Sequence, residues 1–280
     1  MPSILRRTAA ILLLLAAGGL LAACGKSTHF GSGKGNDGNS GSSNSSTDGG
    51  HALTRAHARL LAASLNLRAS DLPGFTPTSE RKHETSAEKA TGHKLQRCMG
   101  GHGGGGALAE ASSKSFERHA DILHVSVSSS VTVVSTPAQA VAGLTAIRSD
   151  HARVCLTRYM RELLARQAQG GASARLVSIV SATPSAAGTS GTFAWRITGE
   201  FTLHEVKVRF YIELVGFARD REDVELLSFG LPIPFPASAE QELFSLLLAR
   251  AKAGGGKAGK GVKPPKEPDL SGPRRVQISL

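Results

Sequence analysis

A chain of 280 residues, with 33 lysines and arginines against 22 aspartates and glutamates, carries a formal net charge of +11. Aromatic residues make up 5% of it, too few for the stacking grooves that hold sugars or single-stranded nucleic acid. The length suits one domain of about 200 residues with appended segments, and no internal repeat marks a solenoid or propeller.

Met1–Thr8 carries Arg6 and Arg7 and no acid, and Ala9–Ala23 is apolar apart from Gly18 and Gly19. A basic start, an apolar run and small residues at its end read as a secretory signal over residues 1–23. The run falls short of the about 20 apolar residues a membrane-crossing helix needs. "LRRTAAI" is a poor twin-arginine signal, which points to the general secretory route. After Cys24, "GSGKGNDGNSGSSNSSTDGG" cannot bury apolar surface, so residues 24–50 read as a flexible tether. The "GKS" at Gly25–Ser27 does not complete a phosphate loop. That motif needs glycine five positions earlier, where Leu20 stands.

Leu21-Ala22-Ala23-Cys24 resembles the lipobox of bacterial surface lipoproteins. The resemblance implies that the Cys24 thiol takes a diacylglyceryl group and that cleavage leaves Cys24 as an acylated N-terminus. The protein would then sit on the outer face of the cell membrane, extracytoplasmic, with the membrane as its first partner. Two or more acyl chains anchor stably where one does not.

The folded part is expected over residues 51–253. Leu53, Ala56, Leu60, Leu61 and Leu65 recur at helical spacing, and Pro73-Gly74 breaks the pattern. "CMGGHGGGGA" reads as a flexible loop. "DILHVSVSSSVTVVST" alternates Ile122, His124, Ser126 and Ser128 against Leu123, Val125 and Val127, which predicts a strand or strand pair. From Thr136 to Gln167 one helix is predicted, with Thr136 as cap, Pro137 at its first position and Ala140, Leu144 and Ile147 as its stripe. "ARLVSIVSAT", "GTFAWRITGEFTL", "EVKVRFYIELVGFAR" and "DREDVELLSFGLPI" follow as strands, the last two joined at "RDRED". A final amphipathic helix is predicted with Ser238 as cap and Glu240 and Glu242 in its first turn. The order implies an α+β fold, a twisted antiparallel sheet with helices packed on it.

Beyond Cys24 the cysteines are Cys98 and Cys155. An exported chain meets an oxidising compartment, which favours their pairing. The bridge would close a loop of roughly 58 residues and contribute roughly 4 kcal/mol by chain entropy. His93, Cys98 and His102 offer three metal-ligand types, but the disulfide uses Cys98 and glycines surround His102, so no metal site and no cofactor are expected. The histidines at 51, 57, 119, 124, 151 and 204 show no ligand spacing. Ser79–Lys82 and Ser86–Lys89 match S-x-x-K, yet neither S-D-N nor K-T-G occurs, and G-x-S-x-G is absent too. His83-Glu84 lacks the second histidine of H-E-x-x-H. The acids of "REDVE" read as solvated turn charge. Residues 254–280 form a basic, Gly/Pro-rich segment expected to be disordered. Its charge suits acidic lipid headgroups or an anionic envelope polymer, and in an exported protein not nucleic acid.

"SDLPGF", a cysteine, "VSVSSSVTVV", "STPAQAVAGLTAIRSDHARVC" and "LPIPFPASAEQELFSLLLAR" are together similar to actinobacterial surface lipoproteins and to extracellular sensor domains of transmembrane serine/threonine kinases. The resemblance implies a Mog1/PsbP-like sandwich and a non-catalytic binding or sensing module. It transfers no ligand-binding residue, and the ligand stays unknown. The alternatives are an envelope-interaction protein acting through its basic tail and a hydrolase that no linear motif reveals.

Overall fold

The computed structural model describes residues 53–78, 107–120, 122–167, 172–203 and 206–255, together with 90, 92, 94, 95 and 97–99. The signal segment, Cys24, the tether, His51, Ser79, Lys82, Ser86, Lys89, His93, His102, His204 and the basic segment beyond 255 lie outside them. Among the described residues no helix is long and apolar enough to cross a membrane.

The fold is α+β, as the sequence predicts: one antiparallel sheet with helices on both faces. Helix α1 (Arg55–Leu65) is capped by Thr54, whose Oγ1 accepts the His57 N–H at 3.2 Å. Its buried stripe is Ala58, Ala62 and Leu65, and Leu60 is 73% exposed. Of the expected stripe, Leu65 lies in the core and Leu53 and Leu61 pack against it, while Ala56 and Leu60 face outward and Ala58 and Ala62 take the innermost positions, where small side chains bring the helix backbone close to the sheet.

Strands β1 (Thr76–Thr78), β2 (Ala107–Ser112) and β3 (Ser115–Ala120) precede the twelve-residue β4 (Leu123–Val134). β2 pairs with the C-terminal half of β4 and β3 with its N-terminal half, so two short strands line one long one. Helix α2 (Pro137–Ile147) has the expected cap, with Thr136 and Gln139 bonding reciprocally. It does not run on to Gln167. Ser149 interrupts it: its hydroxyl donates to Ala146 O at 2.7 Å and accepts from Ala152 N at 3.1 Å. That makes Ser149 the cap of a second helix, α3 (Asp150–Gln167), and Asp150 places an acid in its first turn.

β5 (Ala172–Ala182), β6 (Gly191–Leu203), β7 (Val206–Arg219) and β8 (Glu222–Leu231) form a meander, and β8 then docks on β4, so the sheet runs β1-β3-β4-β8-β7-β6-β5. Asp220, at φ 49°, turns the chain from β7 to β8 with Arg221. Helix α4 (Ala237–Gly255) begins before Ser238, with Glu240 N–H bonding Pro236 O at 3.0 Å, so the predicted cap lies inside the helix.

Two cores result. On one face, α2 and α3 cover Phe193, Trp195, Ile197, Phe210 and Phe229. The Trp195 Nε1–H donates to Ile147 O, at the elbow between α2 and α3, at 3.2 Å. On the other face, α1 and α4 cover Val125, Val127, Val131, Phe217 and Leu226. Here Arg250 of α4 grips Asp71, its Nη2 to Oδ1 at 2.8 Å and its Nη1 to Oδ2 at 2.9 Å, while Nη1 also donates to Asn66 O at 2.8 Å. The pair is out of water, the side chains 11% and 2% exposed. Ser129 of β4 extends the network, donating to Asn66 Oδ1 at 2.8 Å and accepting Leu67 N–H at 2.9 Å.

Removing one partner leaves the other charge buried and uncompensated. Arg250→Met and Asp71→Asn should each lower the free energy of unfolding by about 3–5 kcal/mol. Urea denaturation would measure this. A loss below about 1 kcal/mol, the range of exposed pairs, would show that the clamp is not a buried ion pair in solution.

Candidate functional site

Cys98 follows a helical segment that includes Lys94, Leu95 and Arg97, and Cys155 lies on α3. The two sulfurs are bonded, with the Cα atoms 5.7 Å apart. His151, one turn before Cys155, places Nε2 2.6 Å from Cys98 O. The segment is therefore pinned to α3 at two points. Between them and the next turns lies a groove of about 350 Å³ lined by Lys94, Leu95, Arg97, Arg158, Tyr159 and Glu162 beside the disulfide. Lys94 Nζ meets Glu162 Oε2 at 3.4 Å. Arg97 and Arg158 meet no carboxylate within salt-bridge range among the described residues, so their charges are left for the groove. Buried Tyr159 and Leu95 give it an apolar floor. Guanidinium groups of this kind bind carboxylates and phosphates in bidentate fashion.

The metal trio considered from the sequence cannot form around Cys98, whose sulfur is committed to Cys155. For the same reason the cluster of Cys98, His151 and Cys155 loses both sulfurs as ligands, and His151 is itself engaged with Cys98 O.

The acids of "REDVE" are not solvated turn charge. The turn consumes only Asp220 and Arg221, so Glu222, Asp223 and Glu225 lie within β8, paired on both sides. Alternation sends Glu222, 4% exposed, to the α1–α4 face and Asp223 and Glu225 to the α2–α3 face. Burial is the first cause of their raised pKa values. Glu222 is pushed up to about 7, with Asp220 adding repulsion and Arg219 and Arg221 opposing it. Asp223 rises to about 8 through burial and the nearby Glu225 and Glu222. Glu225 rises to about 7 by burial, against a hydrogen bond from Ser130 Oγ at 3.3 Å and with Glu110 adding repulsion. On the opposite face Glu240 rises to about 8, through burial and then its hydrogen bond with Glu213, although Ser228 Oγ donates to it at 2.7 Å. Split between faces, these acids do not converge on one reacting position.

The β3–β4 hairpin makes a pairing that the sequence spacing concealed. Register sets His119 opposite His124, and their rings stack at 4.2 Å with an 11° tilt. Glu117, two residues before His119, faces both. Burial, and then the neighbouring His119, lowers the His124 pKa to about 4.

No protein-family model matches this chain, and no curated protein matches it. Among solved structures, the extracellular domain of PknH from Mycobacterium tuberculosis aligns with a TM-score of 0.38 and 9% sequence identity, over 69% of this chain and 95% of that one. A likeness of that degree carries no inference about what this chain does.

Acids whose folded pKa is raised stabilise the fold while protonated, and that contribution is lost as pH rises through the folded value. For Glu222, Asp223, Glu225 and Glu240 the loss runs from the ordinary carboxylate range up to about 7 or 8. His124 acts in the opposite sense, but only between about 4 and its ordinary value of 6.5. The melting temperature should therefore fall from about pH 5 to about pH 8, each lost kcal/mol lowering it by about 2–4 °C in a domain of this size. Asp223→Asn and Glu225→Gln should flatten the decline. A melting temperature that is level or rising over that range would contradict this reading.

Proposed function

We propose that this chain is a lipid-anchored, extracytoplasmic binding module, non-catalytic, whose groove beside the disulfide takes a small ligand bearing a carboxylate or phosphate. The observation that carries the proposal is the pair Arg97 and Arg158, two guanidinium groups without a carboxylate partner among the described residues, brought to one groove from far apart in sequence. The disulfide supports it in two ways. It belongs to an oxidising compartment, and it fixes the segment bearing Arg97 to the helix bearing Arg158, so the ligand need not order them. The four-residue lipobox likeness at Leu21–Cys24 and the Gly/Ser tether support the anchored location.

A second reading rests on the charge of the C-terminal segment, where Lys257, Lys260, Lys263, Lys266, Arg274 and Arg275 face only Glu267 and Asp269. An anionic lipid surface or envelope polymer would bind this segment, each basic residue contributing on the order of 1 kcal/mol near an acidic membrane. The attraction would fade as salt shortens the Debye length from about 10 Å at 0.1 M to about 3 Å at 1 M.

Titration with inorganic phosphate and with citrate, followed by calorimetry, tests the groove. Saturable binding should appear in wild type and weaken at least tenfold, about 1.4 kcal/mol, in an Arg97→Ala/Arg158→Ala double variant. Equal binding by both proteins places the anion elsewhere, and no binding by either removes the groove reading. Membrane fractionation of wild type beside Cys24→Ala in a bacterium with the lipoprotein pathway tests the anchor. The variant should leave the membrane fraction, and identical partitioning would rule lipidation out.

A further inference from the structure

We propose that Glu117, His119 and His124 form a binding site for a divalent transition-metal ion, zinc being the ion whose ligand chemistry fits best. The site shares no residue with the anion groove and does not depend on it.

The hairpin builds the site. Glu117 and His119 are two residues apart on β3 and so point to one face. His124 is the cross-strand partner of His119 on β4 and points to the same face. Glu117 Oε2 lies 3.2 Å from His119 Nε2 and 3.9 Å from His124 Nε2. One donor atom from each of the three residues falls within 4.8 Å of the others. Tetrahedral zinc, with bonds of about 2.0–2.2 Å, needs donors about 3.3–3.5 Å apart. The Glu117–His119 separation already suits that geometry; to complete it the His124 donor must draw in from 3.9 Å and the imidazoles, stacked 11° from parallel, must rotate about their side-chain bonds so that their nitrogen lone pairs converge.

A histidine–glutamate ion pair would explain Glu117 and His119 alone. It leaves His124 unexplained. That side chain is 2% exposed, and neither Nδ1 nor Nε2 has a hydrogen-bond partner among the described residues. Each buried polar atom left unsatisfied costs about 1–3 kcal/mol, and native interiors rarely leave both nitrogens of an imidazole idle. The Phe229 ring, 5.4 Å from that of His124 on the neighbouring strand, holds it in place and offers no acceptor. Coordination through Nε2 supplies a partner for one of the two nitrogens and sets the ion beside the buried Glu117 carboxylate. The His119 side chain is 56% exposed, so an ion can enter from solvent. Three protein ligands with one side open leave a fourth position for water or for a donor atom of another molecule.

The test uses the full-length protein stripped of metal with EDTA. Zinc chloride is titrated by calorimetry and cobalt(II) by visible absorption, which reports tetrahedral coordination. His119→Gln and Glu117→Gln are the variants, since His119 is exposed and its loss leaves the core intact. Their melting temperatures without metal confirm folding. Wild type should bind one equivalent of zinc, and zinc should raise its melting temperature. Each variant should bind at least roughly a hundredfold more weakly, because even losing an outer-shell partner costs about ten- to a hundredfold. Zinc should leave the variants' melting temperatures unchanged. Absence of saturable one-to-one binding by wild type overturns the proposal. So does equal affinity in wild type and both variants, which would assign the ion to other histidines of the chain.

Discussion

Arg250 and Asp71 stand 179 residues apart in the chain and meet in a forked pair shielded from water. Burying two charges is costly, and such a pair holds only when its remaining donors and acceptors are filled. Here they are. Asp71 Oδ2 also accepts the Arg68 N–H at 2.7 Å, and the guanidinium reaches Asn66 O as well as the carboxylate. Through Asn66 and Ser129 the same network enters the middle of β4. One polar cluster thereby ties the end of α1, α4 and a central strand together, closing one face of the sheet. The groove and the histidine pair belong to the other half of the molecule and rest on a sheet whose back is fixed.

The two faces of β4 divide the labour. Val125, Val127, Val131 and Val133 point to the α1–α4 face and form ordinary core. His124, Ser126, Ser128 and Ser130 point the other way and are also buried. A buried polar stripe must be answered by neighbours, and the answers are specific. Ser130 bonds Glu225, whereas His124 is covered by the His119 ring and has no hydrogen-bond partner among the described residues. Asp223 belongs to the same face, under α2, where a Cβ built on Gly143 would come within 3.7 Å of its Oδ2.

What could be read from the sequence was local. β5 to β8 announce themselves by alternation, and the Thr136 cap with Pro137 announces α2. The two cysteines left once Cys24 is set aside suggest each other as partners, and they are bonded in the structure. What could not be read depends on pairing. "ALAEAS" and "SFERHA" have little strand propensity and become β2 and β3 because β4 offers them hydrogen bonds. The "SD" at Ser149-Asp150 was a helix-start signal hidden inside an apparently continuous helix. The acids after Arg221 looked like turn residues because the turn seemed longer than it is. His119 and His124 need the hairpin register before they are a pair, and Arg97 and Arg158 need the disulfide before they share a groove. In each case the missing information was which strand or helix lies alongside.

The chain has one tryptophan, and the fold puts it at an informative place. Trp195 is 3% exposed, on β6, with its indole N–H bonded to the carbonyl of Ile147 at the end of α2. An indole in that setting is shielded from solvent quenching only while the α2–α3 elbow sits on the sheet. The elbow leads directly into the helix that carries Cys155 and Arg158. The molecule therefore contains its own optical gauge of whether the helical layer is seated. One emission band, unmixed with any other indole, reports on the layer that carries the disulfide and the groove.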